Sequence, residues 1–132
     1  MSGAAAALQV ALVAALQGHA PIAGVVSGIY DGPPARAAWP YVVIEDGSTS
    51  DWSHKNGRGR EHRIGITIWD DGGSPARLHG LIAEAEVAIE GIGAALDGHR
   101  LASLTFLRSR VVRDPDGPWA GIVQYRARTL EV

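Results

Sequence analysis

The 132-residue, 13.9 kDa chain is long enough to bury an ordinary core, and residues 1–132 read as a single domain. A formal charge of −2 excludes a global pull towards nucleic acid or acidic membranes. The absence of cysteine excludes a disulfide framework and thiolate metal sites, and fits a reducing compartment.

Residues 4–17 carry strong helix formers, with Leu8, Ala11, Leu12, Ala15 and Leu16 spaced as one apolar face. Ser2 stands where an N-cap belongs and Gly18 where a helix stops. Val10 and Val13 lie off that face, so the helix is expected to be well buried or shared with a neighbouring subunit. It does not read as a signal peptide or a span. No Lys or Arg precedes it, Gln9 interrupts it, and it is too short to cross a bilayer. It is expected to be a mature helix of a protein made in the cytosol. Residues 20–24 add a short turn around Pro21, and residues 29–31 a short strand stopped by Gly32-Pro33-Pro34. Pro40 holds Trp39 in extended geometry.

The clearest pattern follows. Two strands, 41–46 and 61–69, flank a polar loop over 47–60. In the second strand His62, Ile64, Ile66 and Ile68 point one way, and Arg63, Gly65, Thr67 and Trp69 the other. Such alternation is what a half-buried strand requires. Only Trp52 gives the loop a large apolar group. Its length is one at which structureless loops are functional or disordered, so it is expected to be mobile in a lone subunit and used against a partner.

Asp70-Asp71-Gly72-Gly73 makes a turn, Ser74 an N-cap, and Pro75 the first helical position. The second helix is predicted over 75–96, with Leu78, Ile82, Ala85, Ile89, Ile92 and Leu96 as its stripe. Gly91 and Gly93 each weaken it by about 1 kcal/mol, and Asp97-Gly98 ends it. Two strands close the chain, 100–113 and 119–131, joined by a turn over 114–118. Trp119, Val123, Tyr125 and Ala127 face one way, and Gln124, Arg126 and Arg128 the other. If Arg113 pairs with Trp119, Arg108 and Arg110 join that basic face; a slip of one residue would invert it. The order predicts an α+β fold, a mostly antiparallel four- to five-stranded sheet with two helices packed on one face.

Chemistry is sparse. Glu45, Asp46, Asp51, Asp70 and Asp71, with His54 and His62, would have to converge to make a hydrolase or metal site. Asp46-Gly47 and the turn after Trp69 are ordinary strand-ending sequences instead, and His62 alternates with isoleucines as a core-edge residue. Gly91-Ile92-Gly93 lies late in a helix and is no dinucleotide fingerprint. No catalytic residue, metal ligand or cofactor site is assigned, and the chain does not read as an enzyme. Lys55, Arg58, Arg60 and Arg63 against Glu61 form a local basic excess that can follow phosphates. The bland alternative is a solvated loop, since exposed charge is the norm. The lack of interleaved aromatics argues against sequence-specific recognition.

Several stretches, taken in order, resemble one family. They are the helix from Ala7-Leu8-Gln9 to Ala14-Ala15-Leu16, then Gly28-Ile29-Tyr30-Asp31, Pro33-Pro34 and Pro40-Tyr41-Val42-Val43-Ile44. The strand 64–69, the helix after it and the terminal hairpin complete the set. Together they are similar to the small tail-completion proteins of long-tailed phages, including the tail terminators of gene transfer agents. The resemblance implies a structural virion protein, which forms a ring, typically a hexamer, on the tail tube. The implied partners are further copies of itself, the tail tube protein and a head-side stopper or connector protein. DNA would pass through the lumen, and no membrane is involved. The implied location is the tail at the head–tail junction, with assembly in the bacterial host cytoplasm. Candidate inter-ring or DNA-lumen contacts are Trp52, Lys55, Arg58, Arg60, Arg63, Arg126 and Arg128. Two rivals stand beside this reading. One is a stopper or adaptor of the head–tail connector. The other is a small oligomeric metabolite-binding protein using Asp46, Asp51 and His62.

Overall fold

A computed structural model describes residues 3–45 and 47–132. The fold is built on a long strand whose inward residues are the alternating isoleucines. In chain order the elements are α1 (Ala4–Gln17), α2 (Ala20–Ala23), β1 (Ile29–Asp31), β2 (Tyr41–Ile44), β3 (Ser48–Asp51) and β4 (Gly59–Asp70). These are followed by α3 (Ala76–Glu90), β5 (Ala95–Leu96), β6 (His99–Arg113) and β7 (Trp119–Glu131). Among the described residues the sheet has seven strands in the order β1-β2-β4-β7-β6-β5, with β3 on β4 below the end of β2. All neighbours are antiparallel except β1 and β2, which are parallel.

The sheet is therefore larger and more mixed than the sequence predicts, and three helical segments stand in place of two. The parallel pair was not expected because parallel neighbours usually need a longer crossover. Here residues 32–40, which bend at Gly32, Ala35-Arg36 and Trp39-Pro40 and contain a cis Trp39–Pro40 bond, carry the chain back alongside β1. The first of the two central strands stops at Ile44; its expected continuation to Asp46 reaches a residue outside those described, as does the Ser2 N-cap. Gly3 occupies the N-cap position of α1 instead. The helix predicted over 75–96 runs only from Ala76 to Glu90, with Pro75 at its N-cap position and Gly91 at its C-cap. Two glycines so close together end a helix that packing does not hold, and Ala95–Leu96 then pairs with β6. Asp97-Gly98 is the turn of that hairpin, with Gly98 at φ 71. The loop 47–60 is likewise not structureless, because Ser48–Asp51 forms β3 on the N-terminal half of β4.

The core lies on one face of the sheet. Leu12 and Leu16 of α1, Ile22 of α2, and Leu78, Ile82 and Ile89 of α3 cluster with Val42, Ile44, Ile66, Ile68, Val123 and Tyr125. Complete burial of a side chain such as Ile66 contributes roughly 1.5–3 kcal/mol. α3 approaches β7 so closely that a Cβ on Gly121 would lie 2.8 Å from Leu78 Cδ1 and 2.9 Å from Ile82 Cδ1. Asp70, wholly buried at the end of β4, fixes the start of α3. It accepts from Gly72 N at 3.2 Å and from both Arg77 Nε, at 2.9 Å, and Arg77 Nη2. α1 carries no charged residue, and its Val10 is 69% exposed. Among the described residues no helix is long and apolar enough to cross a membrane.

Candidate functional site

The face of the sheet away from the helices carries the basic residues. Register fixes it: Arg63 pairs with Arg126, Glu61 with Arg128, Gln124 with Arg108 and Ile122 with Arg110. Arg113 pairs with Trp119, and this register puts Arg108 opposite Gln124, diagonal to Arg126, and Arg110 further along the same face opposite Ile122. β-Bulges between Leu101 and Ser103 and between Phe106 and Arg108 keep Arg100, Arg108 and Arg110 on this face despite a change of phase along the strand, while Arg113 lies on the other face against the Trp119 ring. Glu61 sits among them, accepting from Arg128 Nε at 3.0 Å and lying 3.9 Å from Arg126 Nε. Arg126 Nε is buried and has no hydrogen-bond partner among the described residues. Glu45 and Glu61 are the carboxylates near this patch, and the arginines outnumber them.

The stretch between β3 and β4 is a hairpin tip with its own bonds. Trp52 N donates to Gly59 O at 2.9 Å, His54 N to Gly57 O at 2.8 Å, and Gly57 N back to His54 O at 3.2 Å. Trp52, expected to wait for a neighbouring ring, is half-buried within its own subunit. Its ring meets His54 edge-on at 4.3 Å, and the Arg128 guanidinium lies 5.1 Å from its centroid. The expectation of a mobile loop is thus corrected to a folded hairpin, because β-pairing and one cation–π contact offset its ordering. Lys55 stands exposed near the tip.

Arg58 and Arg60 lie beside this tip and not on the outer sheet face. Arg58 O accepts from Glu131 N at 2.9 Å, and Arg60 Nη1 donates to Asp51 Oδ1 at 3.2 Å. Both line a hollow of about 520 Å³ beside the N-terminus of α1, with Thr49, His99 and Glu131. The seven candidates therefore fall into two groups. Arg63, Arg126, Arg128 and Trp52 come together around the outer sheet face. Lys55, Arg58 and Arg60 lie at the hairpin end of the molecule.

Of the residues of the metabolite-binding rival, the two described ones, Asp51 and His62, are each engaged by other side chains. His62 is buried, with Nδ1 3.0 Å from Thr49 Oγ1 and Nε2 2.9 Å from Thr129 Oγ1. Asp51 is occupied by Ser53 and Arg60, and Asp46 lies outside the described residues. Among the described residues no three His, Asp or Glu side chains are grouped to hold a metal ion.

Residues 10–130 match the family model of the tail completion protein gp17. The chain belongs to this tail-completion family. It is thereby a structural phage-tail protein and not an enzyme, as the lack of a catalytic constellation in the sequence had indicated. A solved protein chain from the virion of a native gene transfer agent particle is 27% identical and superposes with a TM-score of 0.77, covering 98% of this chain and 99% of that one. The gp17 protein of bacteriophage SPP1, 22% identical, superposes at 0.65 over 98% of this chain and 91% of its own, a likeness of fold. No curated protein matches the sequence. For a tail-completion protein, the surfaces that count are those offered to other subunits. The long exposed strand β6 is the one that sequence reasoning missed. Its apolar and basic residues are legible, but whether another strand covers it depends on a β5 that was predicted as helix.

Proposed function

We propose that the protein forms a hexameric ring that caps the tail tube and offers the surface to which the head joins, with DNA passing through its lumen. The observation that carries this reading is the family match over residues 10–130. The likeness to a gene transfer agent virion protein over nearly the full length of both chains supports a place in the virion tail. The partners are further copies of the chain, the tail tube protein and a head-side stopper or connector, assembled in the host cytoplasm. The outer sheet face is assigned to the lumen. Arg63, Arg108, Arg110, Arg126 and Arg128 supply positive charge that does not depend on sequence, and moving DNA requires contacts of that kind. The hairpin tip with Lys55, and Arg58 and Arg60 beside it, are assigned to the adjoining ring.

Negative-stain imaging of the purified protein and of particles tests the reading. Rings with a central hole, placed at the head-proximal end of the tail, are expected. Particles lacking the protein should show heads and tails unjoined. A compact dimer that is absent from the tail end would overturn the proposal.

A further inference from the structure

The sheet ends in two unmatched edges, and their shapes are complementary. On one side β6 pairs with β7 along its length, while β5 covers only His99 and Arg100. Beyond the backbone bond from Leu101 N to Ala94 O, no other strand of the described residues reaches β6. That leaves an open edge over 102–113, about 40 Å at strand rise. Thr105, Phe106, Arg108, Ser109, Arg110, Val112 and Arg113 are exposed along it. Natural sheets seldom leave such an edge bare, because unpaired N–H and C=O groups template another strand. On the other side the edge is stepped. β2 and β1 stand out beside the C-terminal half of β4, and β3 alone flanks the N-terminal half.

Take the end of β4 at Asp70 as the top. The upper part of β6, ending at Arg113 opposite Trp119, lies at that level, because Trp119 also pairs with Asp70. β1 projects at the top of one edge, and β5 projects at the bottom of the other. Repeating the subunit by rotation about an axis along the strands keeps these levels. β1 of one copy then fits the open upper part of the next copy's β6, and β5 fills the step beside β3. The directions agree as well. β6 runs parallel to β4 through β7, whereas β1 runs against β4, so the new pair is antiparallel. Level also fixes the partners: Asp31 pairs with Ile44, and through Ile66 and Val123 stands at the level of Ser109, so the two exposed residues meet across the new pair.

We infer that the subunits of the ring join edge to edge, the upper half of β6 in one copy pairing antiparallel with β1 of the next, with Asp31 opposite Ser109. This rests on the ring reading and specifies its interface. The contact is heterologous, the kind that closes into rings. It makes one continuous sheet around the lumen, with the helices outside and the arginine face inward.

The chain has no cysteine, so an engineered pair reports cleanly. Asp31→Cys and Ser109→Cys place exposed thiols on the two edges. Within one subunit they are separated by β2, β4 and β7, too far for a disulfide. Particles carrying both changes, bridged with a short bis-maleimide, should give a ladder of multimers on a denaturing gel, and neither single change should give one. No ladder from particles whose rings are visible by electron microscopy would overturn this interface and leave the ring standing. If no rings are visible, both readings fall.

Discussion

The Nε2 of His62 lies 2.9 Å from the hydroxyl of Thr129, two buried polar groups on neighbouring central strands. On its other side Nδ1 lies 3.0 Å from Thr49 Oγ1 on β3. One imidazole thus ties the hairpin strand to the last strand. A neutral ring, donating with one nitrogen and accepting with the other, satisfies both threonines.

Burial first, then the charges of Arg60 and His99, hold His62 below its ordinary value of 6.5. The unfolded chain therefore binds a proton at higher pH than the folded one. Its contribution to stability is complete above pH 6.5 and declines as pH falls from there towards the lowered native value. Denaturant unfolding at pH 7.5 and at steps down to pH 5 should show wild type losing stability. His62→Gln should lack that part of the slope. Parallel pH profiles for the two proteins would contradict the assignment.

Ile66 tests the core. It is fully buried and clusters with Leu78, Ile82 and Ile89 of α3. Ile66→Ala should cost about 2–5 kcal/mol in denaturant unfolding. A loss below about 0.5 kcal/mol, the range of surface changes, would mean that the faces of β4 are reversed.

That face was readable in the sequence because one strand with strict alternation admits a single inward set. β7 was bounded correctly for a related reason, since Asp114-Pro115-Asp116-Gly117-Pro118 can only turn. Shorter pairings were not readable. Ser48–Asp51 is polar throughout and exposed on every residue, so no burial pattern marks it as a strand; only β4 beside it does. The apolar spacing continues past Glu90 to Ile92 and Leu96, so periodicity alone could not show that Gly91 ends α3 and that Leu96 is in a strand. The basic face was legible once Arg113 was set opposite Trp119, but the packing of Trp52 on Arg128 joins residues far apart in the chain.

Asp70 should matter to stability more than its turn sequence suggests. Hydrogen bonds from Arg77, burial opposing them, and the backbone N–H of Gly72 leave its carboxyl below the ordinary 3.8. Asp70→Asn should cost about 1.5 kcal/mol near neutrality, the low end for bonds to charged groups, because Arg77 is half-exposed. A lowered native pKa makes this contribution present above the unfolded value and lost as pH falls through the native one. The gap between wild type and variant should therefore close in strong acid. A gap that stays constant with pH would assign the loss to packing.

The hairpin tip separates folding from assembly. Replacing residues 52–59 by Asn-Gly joins Asp51 to Arg60, which already pair, through the turn that suits a two-residue hairpin. The variant loses the Trp52–Arg128 contact, worth about 0.5–1 kcal/mol, and the bond from Glu131 N to Arg58 O. A shorter loop adds little entropy cost, so thermal unfolding should stay cooperative with a modestly lower midpoint. Rings should still form, because neither β1 nor β6 is touched. The tip is the part assigned to the adjoining ring, so the number of complete particles counted by electron microscopy should fall, with tails and heads found apart. A variant that folds and gives normal counts of joined particles would make the tip a passive connector, and the contact between rings would have to be sought on another surface.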